Sequence, residues 1–443
     1  MLALRLSERK YVAEVLAEGK IGEKYVVAGW VDTIRVHGKL VFIILRDRTG
    51  KMQLVVKKNV SEHAWELARK LTVESVIGAK GTLVESKAAL GGKEIVVEEL
   101  VVYSKAEPLP IDIKDHTKTT LAKRLDWRFL DLRNPRNQLI FLVEAEMSKA
   151  ARDFFYSNGF VEIYTSKIVG AATEGGAEVF SIVYFDKPAF LAQSPQLYKQ
   201  MGVISGFEKV FEIGPAFRAE PHHTTRHLTE YTSVDFEMGF IDSFEDVMKV
   251  AERAVLSMIQ RAIDKYGKKV NEYFPSALQE VPKDIPRISI REAYKLLKRE
   301  GIHVEEGDDL SSEAERKLGE IVLREYGSPL VFVTEYPWKV RPFYTMRKED
   351  EPEWTYSFDL LFRGLEIATG GQREHRYEVL IKQLEEKGLN PKNFEWYLAM
   401  FRYGAPPHGG AGIGLERVVM QYLGLSNIRE ARLLPRDPER LVP

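Results

Sequence analysis

The sequence contains no cysteine. Disulfides, thiolate metal sites and a cysteine nucleophile are therefore excluded, and any bound metal must be held by oxygen or imidazole ligands. An excess of charge of either sign is also missing, since 64 Lys and Arg residues stand against 65 Asp and Glu residues. A nucleic-acid partner would therefore meet a local basic patch, not a protein that is basic overall.

The N-terminal segment lacks an uninterrupted apolar stretch, because charges stand at Glu8, Arg9 and Lys10. This pattern excludes a signal peptide or membrane span there and predicts a cytoplasmic protein with no membrane partner. The chain also lacks a P-loop and a GxGxxG fingerprint. A nucleotide site would therefore have to hold phosphates with arginine side chains.

Short runs rich in valine and isoleucine extend from Tyr25 to Tyr103, separated by turns that contain glycine. They predict a five-stranded β-barrel of the OB-fold type, which occupies a domain at residues 1–105. The sequence DRTG predicts a hairpin turn in which Gly50 is free to take a positive φ. OB-folds present their second and third strands to oligonucleotides.

A second domain is predicted at residues 139–443, after a hinge at 106–138 that is rich in proline and basic residues. A long helix starts at Leu139 and stops at Asn158-Gly159. Strand runs with irregularly spaced helices follow, which predicts an α+β fold with a largely antiparallel sheet. One of these helices runs from Asp242, with a capping-box-like Glu245, to Gly267, and lies in a helical insertion at about 242–285.

Four regions that are distant in sequence are dense in arginine, glutamate and glycine. An arginine can hold a carboxylate and a phosphate together, which brings a nucleophile and an electrophile into line. Any one such arginine is most often an ordinary surface charge, so the regions carry weight only together. They are Phe217–Met238, Gly404–Val419, Ser357–Arg376, and Ala172–Phe180 with Gln193–Gln200.

Two of these regions resemble known motifs. FRAEPHHTTRHL is similar to motif 2, and GAPPHGGAGIGLER to motif 3, of the class II aminoacyl-tRNA synthetases. RAE with TTRHL, QSPQLYK and GGQREHR resemble the aspartyl-tRNA synthetases of the archaeal type. The resemblance implies an OB-fold anticodon-binding domain and a class II catalytic domain with an antiparallel sheet and flanking helices. It also implies an aspartate–tRNA ligase that uses L-aspartate, ATP, Mg²⁺ and tRNA(Asp) and forms a homodimer.

The same resemblance assigns roles to individual residues. It implies that Arg218, Glu366 and Arg417 are catalytic, that Glu366 and Thr369 bind Mg²⁺, and that Phe42 and Gln53 bind the anticodon. The implied aspartate-binding residues are Glu174, Ser194, Gln196, Lys199, Arg218 and Arg373. The implied ATP-binding residues are Arg218, Ala219, Glu220, Arg226, His227, Leu228, Glu366, Gly414, Leu415, Glu416 and Arg417.

Lys199 and Arg373 decide the expected amino acid. Two cations in a poorly hydrated pocket favour aspartate over asparagine, whose amide would point its N–H donors at other donors. An asparaginyl-tRNA synthetase is the alternative. An asparagine-making paralogue would be expected to lack the barrel, and a decayed, non-catalytic relative would be expected to lose Arg218, Glu366 or Arg417.

Three further positions bear on specificity and assembly. Asp32 and Ala89 stand where strictly discriminating relatives are expected to carry tryptophan and lysine, which predicts that tRNA(Asn) is charged as well. Phe42 has a competing interpretation as a core residue of the barrel. Ser166 stands where motif 1 of the family normally has proline, and the resemblance implies that this segment builds the dimer interface.

Overall fold

The computed structural model describes residues 4–170, 178–221 and 224–443. The chain divides into two compact units, Met1–Asp112 and Ile113–Pro443. Within the described ranges, no helix is both long and apolar enough to cross a membrane. The domain boundaries at 105 and 139 and the insertion at 242–285 stay predictions.

The first unit is a closed five-stranded barrel with strand order β1-β2-β3-β5-β4. On β2 the side chains of Val41, Ile43 and Leu45 are fully buried, while the residues between them are only partly buried. This alternation is the period of a strand with one face towards a core, and the predicted barrel is confirmed. Its elements are β1 (Lys24–His37), β2 (Leu40–Asp47), β3 (Gly50–Lys57), β4 (Val76–Glu85), β5 (Lys93–Ser104), α1 (Val12–Glu18) and α2 (Glu62–Ala68).

The turn between β2 and β3 is where predicted, but Gly50 does not take a positive φ. Asp47 Oδ1 instead accepts hydrogen bonds from Thr49 N at 2.7 Å and from Gly50 N at 3.2 Å. An aspartate that caps the backbone of its own turn removes the need for a left-handed glycine.

The second unit is built on an eight-stranded sheet with strand order β12-β13-β14-β15-β16-β11-β10-β6. Only the pairs β12–β13 and β10–β6 are parallel, so the predicted α+β fold with a largely antiparallel sheet is confirmed. A smaller antiparallel sheet has the order β7-β9-β8. The strands are β6 (Val161–Glu162), β7 (Ile168–Val169), β8 (Ser181–Tyr184), β9 (Lys187–Leu191), β10 (Lys209–Phe217), β11 (Glu230–Gly239), β12 (Arg287–Ser289), β13 (Leu330–Thr334), β14 (Ser357–Phe362), β15 (Leu365–Arg373) and β16 (His408–Gly414).

Two long helices, α5 and α7, pack against each other and contribute to the main hydrophobic core with the central strands. The helices α8 and α9 form a separate core with β13. The helices of the unit are α3 (Leu121–Asp126), α4 (Arg128–Asp131), α5 (Pro135–Ser157), α6 (Gln196–Gly202), α7 (Phe244–Tyr273), α8 (Ile290–Arg299), α9 (Ser312–Tyr326), α10 (Tyr377–Glu386), α11 (Glu395–Arg402) and α12 (Leu415–Leu423).

Helix α5 ends as predicted but begins four residues earlier than Leu139. Asn134 caps it by accepting a hydrogen bond from Arg136 N at 2.9 Å, and Pro135 occupies the first turn, where proline is favoured. At the other end Gly159 has φ +78°. Asn134 and Pro135, within the predicted hinge segment, therefore mark the start of this helix.

Helix α7 differs from its prediction at both ends. Ser243 caps it, and Asp246, not Glu245, completes the capping box. The helix continues past Gly267 to Tyr273, because the buried side chain of Val270 keeps its last turns packed. Tertiary packing here outweighs the roughly 1 kcal/mol cost of an internal glycine.

Candidate active site

A cavity of about 310 Å³ lies in the second unit, and most of the residues predicted from sequence line it. Ala219 and Leu415 do not line it, and Glu174 falls outside the described residues. The predicted residues on its wall are Ser194, Gln196, Lys199, Arg218, Glu220, Arg226, His227, Leu228, Glu366, Thr369, Arg373, Gly414, Glu416 and Arg417.

The cavity lies where β11, β15 and β16 run side by side. Glycine is required in β16 because a Cβ atom on Gly410 would stand 2.1 Å from the carbonyl oxygen of Phe236 and 2.2 Å from Glu237 Oε2. The missing side chain leaves room for the carboxylate of Glu237 on the neighbouring strand. Gly410 is therefore needed for the packing of the protein itself, whether or not a ligand contacts it.

At one end of the cavity two buried cations meet two buried carboxylates. Lys199 Nζ lies 2.8 Å from Asp235 Oδ1 and 3.4 Å from Glu237 Oε2. Arg373 Nε donates to Glu237 Oε1 at 2.9 Å, and Arg373 Nη2 donates to Gln196 Oε1 at 3.1 Å. Lys199 and Arg373 are thus brought together as predicted, but with their charges already compensated.

Sequence reasoning missed Asp235 and Glu237. Burial alone would raise the pKa of Glu237, but Arg373 and Lys199 outweigh burial and hold that pKa below its usual value. Asp235 lines the cavity, and its buried Oδ2 atom has no hydrogen-bond partner in the described part of the chain. A buried acceptor of this kind can receive a donor from a ligand. The alternation of acidic residues along β11, in VDFEM, was the available signal.

At the opposite end, Arg417 lies beside Glu366. Arg417 Nη1 donates to the carbonyl oxygen of Glu366 at 2.8 Å, and its distance to Glu366 Oε1 is 3.7 Å. Thr369 Oγ1 accepts from Arg341 Nη1 at 3.2 Å. Asp359 lies directly opposite Thr369 on β14 and pairs with Arg341 Nη2 at 2.8 Å.

Asp359 is a second acidic side chain that sequence reasoning missed. Burial raises the pKa of Asp359, Arg341 opposes this rise, and the negative charge of Glu366 adds to it. The described residues hold no group of three acidic, histidine or cysteine side chains suited to a metal. Glu366, Thr369 and Asp359 nevertheless offer only hard oxygen donors, and a cation near them would relieve the repulsion between the two carboxylates.

The segment that joins β10 to β11 is ordered by its own polar residues where it is described. Thr224 Oγ1 lies 2.6 Å from His227 Nδ1 and accepts from Arg226 N at 3.2 Å. His227 Nε2 lies 3.6 Å from Glu220 Oε2. These contacts place Glu220, Arg226 and His227 on one side of the cavity.

In the barrel, Phe42 and Gln53 lie on the same outer face. Phe42 is opposite Val55 and Gln53 is opposite Ile44, so the two are diagonal neighbours on adjacent antiparallel strands. Phe42 is only partly buried and does not belong to the barrel core, so the interpretation of Phe42 as a core residue is wrong. Its contact with the anticodon stays a prediction. Gln53 Nε2 donates to Glu94 Oε2 at 2.6 Å.

The two positions connected with tRNA discrimination differ in their surroundings. Asp32 accepts a hydrogen bond from Arg46 Nη1 at 3.1 Å and pairs with Lys51 Nζ at 3.0 Å, and only 6% of its surface is exposed. Ala89 lies in the turn between β4 and β5. The buried carboxylate of Asp32 is therefore already paired with basic side chains of the barrel.

Two family profiles match the sequence. "tRNA synthetases class II (D, K and N)" matches residues 120–438, and "OB-fold nucleic acid binding domain" matches residues 25–103. The first range includes both sheets of the second unit, and the second range covers the barrel strands almost completely.

Named relatives are similar over nearly the whole chain. An "Aspartate--tRNA(Asp/Asn) ligase" of Aeropyrum pernix is 53% identical, covering 98% of this chain and 99% of the relative. An "Aspartate--tRNA(Asp) ligase" of Pyrococcus abyssi is 47% identical, covering 98% and 100%. The solved asparaginyl-tRNA synthetase of Pyrococcus horikoshii with asparaginyl-adenylate has a TM-score of 0.92 at 38% identity, covering 98% and 100%. The aspartyl-tRNA synthetase of Entamoeba histolytica has a TM-score of 0.88 at 32% identity, covering 99% and 94%.

Proposed function

Because the chain belongs to the class II aminoacyl-tRNA synthetases of the aspartate, lysine and asparagine group, we propose that it is an aspartate–tRNA ligase. The observation that carries this proposal is that one cavity holds Lys199 and Arg373 at one end and Glu366 and Arg417 at the other. One end suits an amino acid with an anionic side chain, and the other suits polyphosphate. The relatives' names support the same substrate.

In the first step the aspartate α-carboxylate attacks the α-phosphorus of ATP, and pyrophosphate leaves. Arg218 holds the carboxylate and the α-phosphate together, and Arg417 stabilises the charge on the terminal phosphate. In the second step the 3′-terminal hydroxyl of tRNA attacks the aspartyl-adenylate. Neither step uses a protein nucleophile.

The amino-acid end recognises both charged groups of aspartate. Lys199 and Arg373 face its side-chain carboxylate, and Asp235 Oδ2 accepts from its ammonium group, together with the predicted Glu174. Because Asp235 and Glu237 already compensate the two cations, discrimination against asparagine rests on directed N–H donors and not on a net positive charge.

Glu366 and Thr369, with Asp359 beside them, would hold Mg²⁺ at the phosphate end. The ion would neutralise phosphate charge during the reaction. Phe42 would stack on an anticodon base, and Gln53 would hydrogen-bond to it. The protein is further proposed to form a homodimer and to work in the cytoplasm.

Aminoacylation of separate tRNA(Asp) and tRNA(Asn) transcripts with labelled aspartate or asparagine tests this function. We expect aspartate on both transcripts, since Asp32 and Ala89 replace the residues expected in discriminating relatives. Aspartate on tRNA(Asp) alone would overturn relaxed specificity but not the activity. Asparagine as the amino acid transferred would overturn the activity itself.

A further inference from the structure

Arg226 is held on one side by a helix that the sequence did not connect with the site. Arg226 Nη1 donates to the carbonyl oxygen of Ser312 at 3.2 Å, and Nη2 donates to the carbonyl oxygen of Gly364 at 3.2 Å and to the carboxylate of Glu315. These bonds use three of the five N–H donors of the guanidinium group. The same side chain lines the cavity.

Two glycines, Gly319 on α9 and Gly364 in the turn between β14 and β15, let the backbones of these two elements pack directly against each other. A Cβ atom on Gly319 would stand 2.4 Å from Gly364 N, and a Cβ atom on Gly364 would stand 2.5 Å from Arg316 Cα. Gly364 also has φ +71°, which other residues rarely adopt. The close approach brings the first turns of α9 to Arg226.

The helix itself is firmly seated. Ser311 Oγ caps it by accepting from Ala314 N at 3.2 Å, and its inner face is buried at Ala314, Leu318, Ile321 and Val322. Only about 15% of the Glu315 side chain is exposed. Glu315 is therefore a carboxylate on a rigid element, as a residue that orients another must be.

We propose that Glu315 is a positioning residue, which holds the Arg226 guanidinium in the orientation that receives the β- and γ-phosphates of ATP. This inference rests on the proposed function of the cavity. With its orientation fixed before ATP arrives, Arg226 loses less conformational freedom on binding. Helix α9 thereby becomes part of the ATP site without touching the nucleotide.

The direct test is the affinity for ATP and for AMP of purified full-length protein, measured by calorimetry. Burial and the charge of Glu366 raise the pKa of Glu315 to about 7, against the opposing effect of Arg226, so the titrations are made at pH 8. Glu315→Gln should weaken ATP binding about tenfold, because a neutral amide replaces a charge-assisted acceptor. AMP binding should change less than about twofold, since AMP lacks the phosphates that Arg226 meets.

Glu313→Gln is the matched control, because exposed Glu313 lies in the same first turn of α9. It removes the same charge from the helix N-terminus and should leave both affinities unchanged. Equal losses of ATP and AMP binding in Glu315→Gln, or no loss at all, would overturn the proposal. If Glu315→Gln does not fold, Glu315→Asp replaces it, with the same ATP-specific loss expected from its shorter reach.

A double-mutant cycle asks whether Glu315 acts through Arg226. In an Arg226→Met background, Glu315→Gln should have no further effect on ATP affinity, and an additive loss would contradict positioning. In aspartate-dependent pyrophosphate exchange, Glu315→Gln should raise KM for ATP about tenfold and leave KM for aspartate unchanged. If wild-type protein showed no such exchange, the proposed function would fail, whereas the ATP and AMP titrations would still test Glu315.

Discussion

Gly410 and Gly414 on β16 are expected to serve different purposes: Gly410 lets the strands pack, and Gly414 leaves room for ATP. Gly414 has φ −77° and ψ 107°, which alanine adopts readily, and the nearest atoms to a Cβ atom there would be those of the Arg417 side chain, at 3.6 Å or more. Gly414→Ala should therefore fold normally and gain about 0.4–1 kcal/mol through a less flexible unfolded chain. Gly414 also lines the cavity, so the added methyl group should interfere with ATP.

The expected loss of ATP affinity follows from the cost of one inserted methyl group. Overpacking costs about 1–3 kcal/mol, which corresponds to a roughly 5- to 150-fold weaker Kd for ATP. Aspartate binding should stay unchanged. Calorimetric titration with ATP gives the affinity, and thermal unfolding gives the stability.

Gly410→Ala is the matched comparison on the same strand. Its Cβ would stand 2.1 Å from the carbonyl oxygen of Phe236, so β16 and β11 would have to separate. We expect about 3 kcal/mol lower stability and poorer binding of both substrates. The reasoning would be refuted if Gly414→Ala bound ATP within about twofold of wild type.

Three further substitutions test separate parts of the protein. Lys199→Met should raise KM for aspartate in pyrophosphate exchange about 10- to 150-fold, because it removes a hydrogen bond to a charged group worth roughly 1.5–3 kcal/mol. KM for ATP should stay unchanged, and equal increases in the two KM values would contradict the prediction. Phe42→Ala should weaken tRNA(Asp) binding by about 1–3 kcal/mol through lost base stacking, with exchange unaffected, whereas reduced exchange would indicate a folding defect. Burial lowers the pKa of His408 to about 4, so protons favour the unfolded chain as the pH falls from about 6.5 to 4. Between pH 7 and pH 5 the free energy of unfolding, measured with urea, should fall by about 2 kcal/mol less in His408→Gln than in wild type. An equal fall in the two proteins would disprove the prediction.

Regular periodicity made most of the fold predictable. The alternating residues of β2 and the glycine that follows α5 act locally, so the barrel and the end of that helix were predicted correctly. The end of α7 was wrong because buried Val270, and not local propensity at Gly267, decides it. The turn at Gly50 was predicted correctly, but the freedom of Gly50 to take a positive φ is not used, because the Asp47 side chain accepts the hydrogen bonds of the turn backbone.

The site was predictable where a motif carried it and not where distant segments meet. The resemblance named Lys199 and Arg373, but their partners Asp235 and Glu237 follow from the packing that brings β11 close to α6, which carries Lys199, and to Arg373 at the end of β15. Glu315 carries no motif, and its contact with Arg226 depends on the packing of Gly319 against Gly364. Such contacts belong to the tertiary structure, and apart from the acidic alternation along β11 they leave no local signal in the sequence.

The most direct test of the proposed function is amino-acid-dependent exchange of labelled pyrophosphate into ATP by the purified protein with Mg²⁺ and without tRNA. It isolates adenylate formation, the step assigned to the cavity. We expect aspartate to support exchange and asparagine at the same concentration to support none above background. Exchange driven by asparagine would contradict the assignment of Lys199 and Arg373, and no exchange with either amino acid would contradict the proposed function itself.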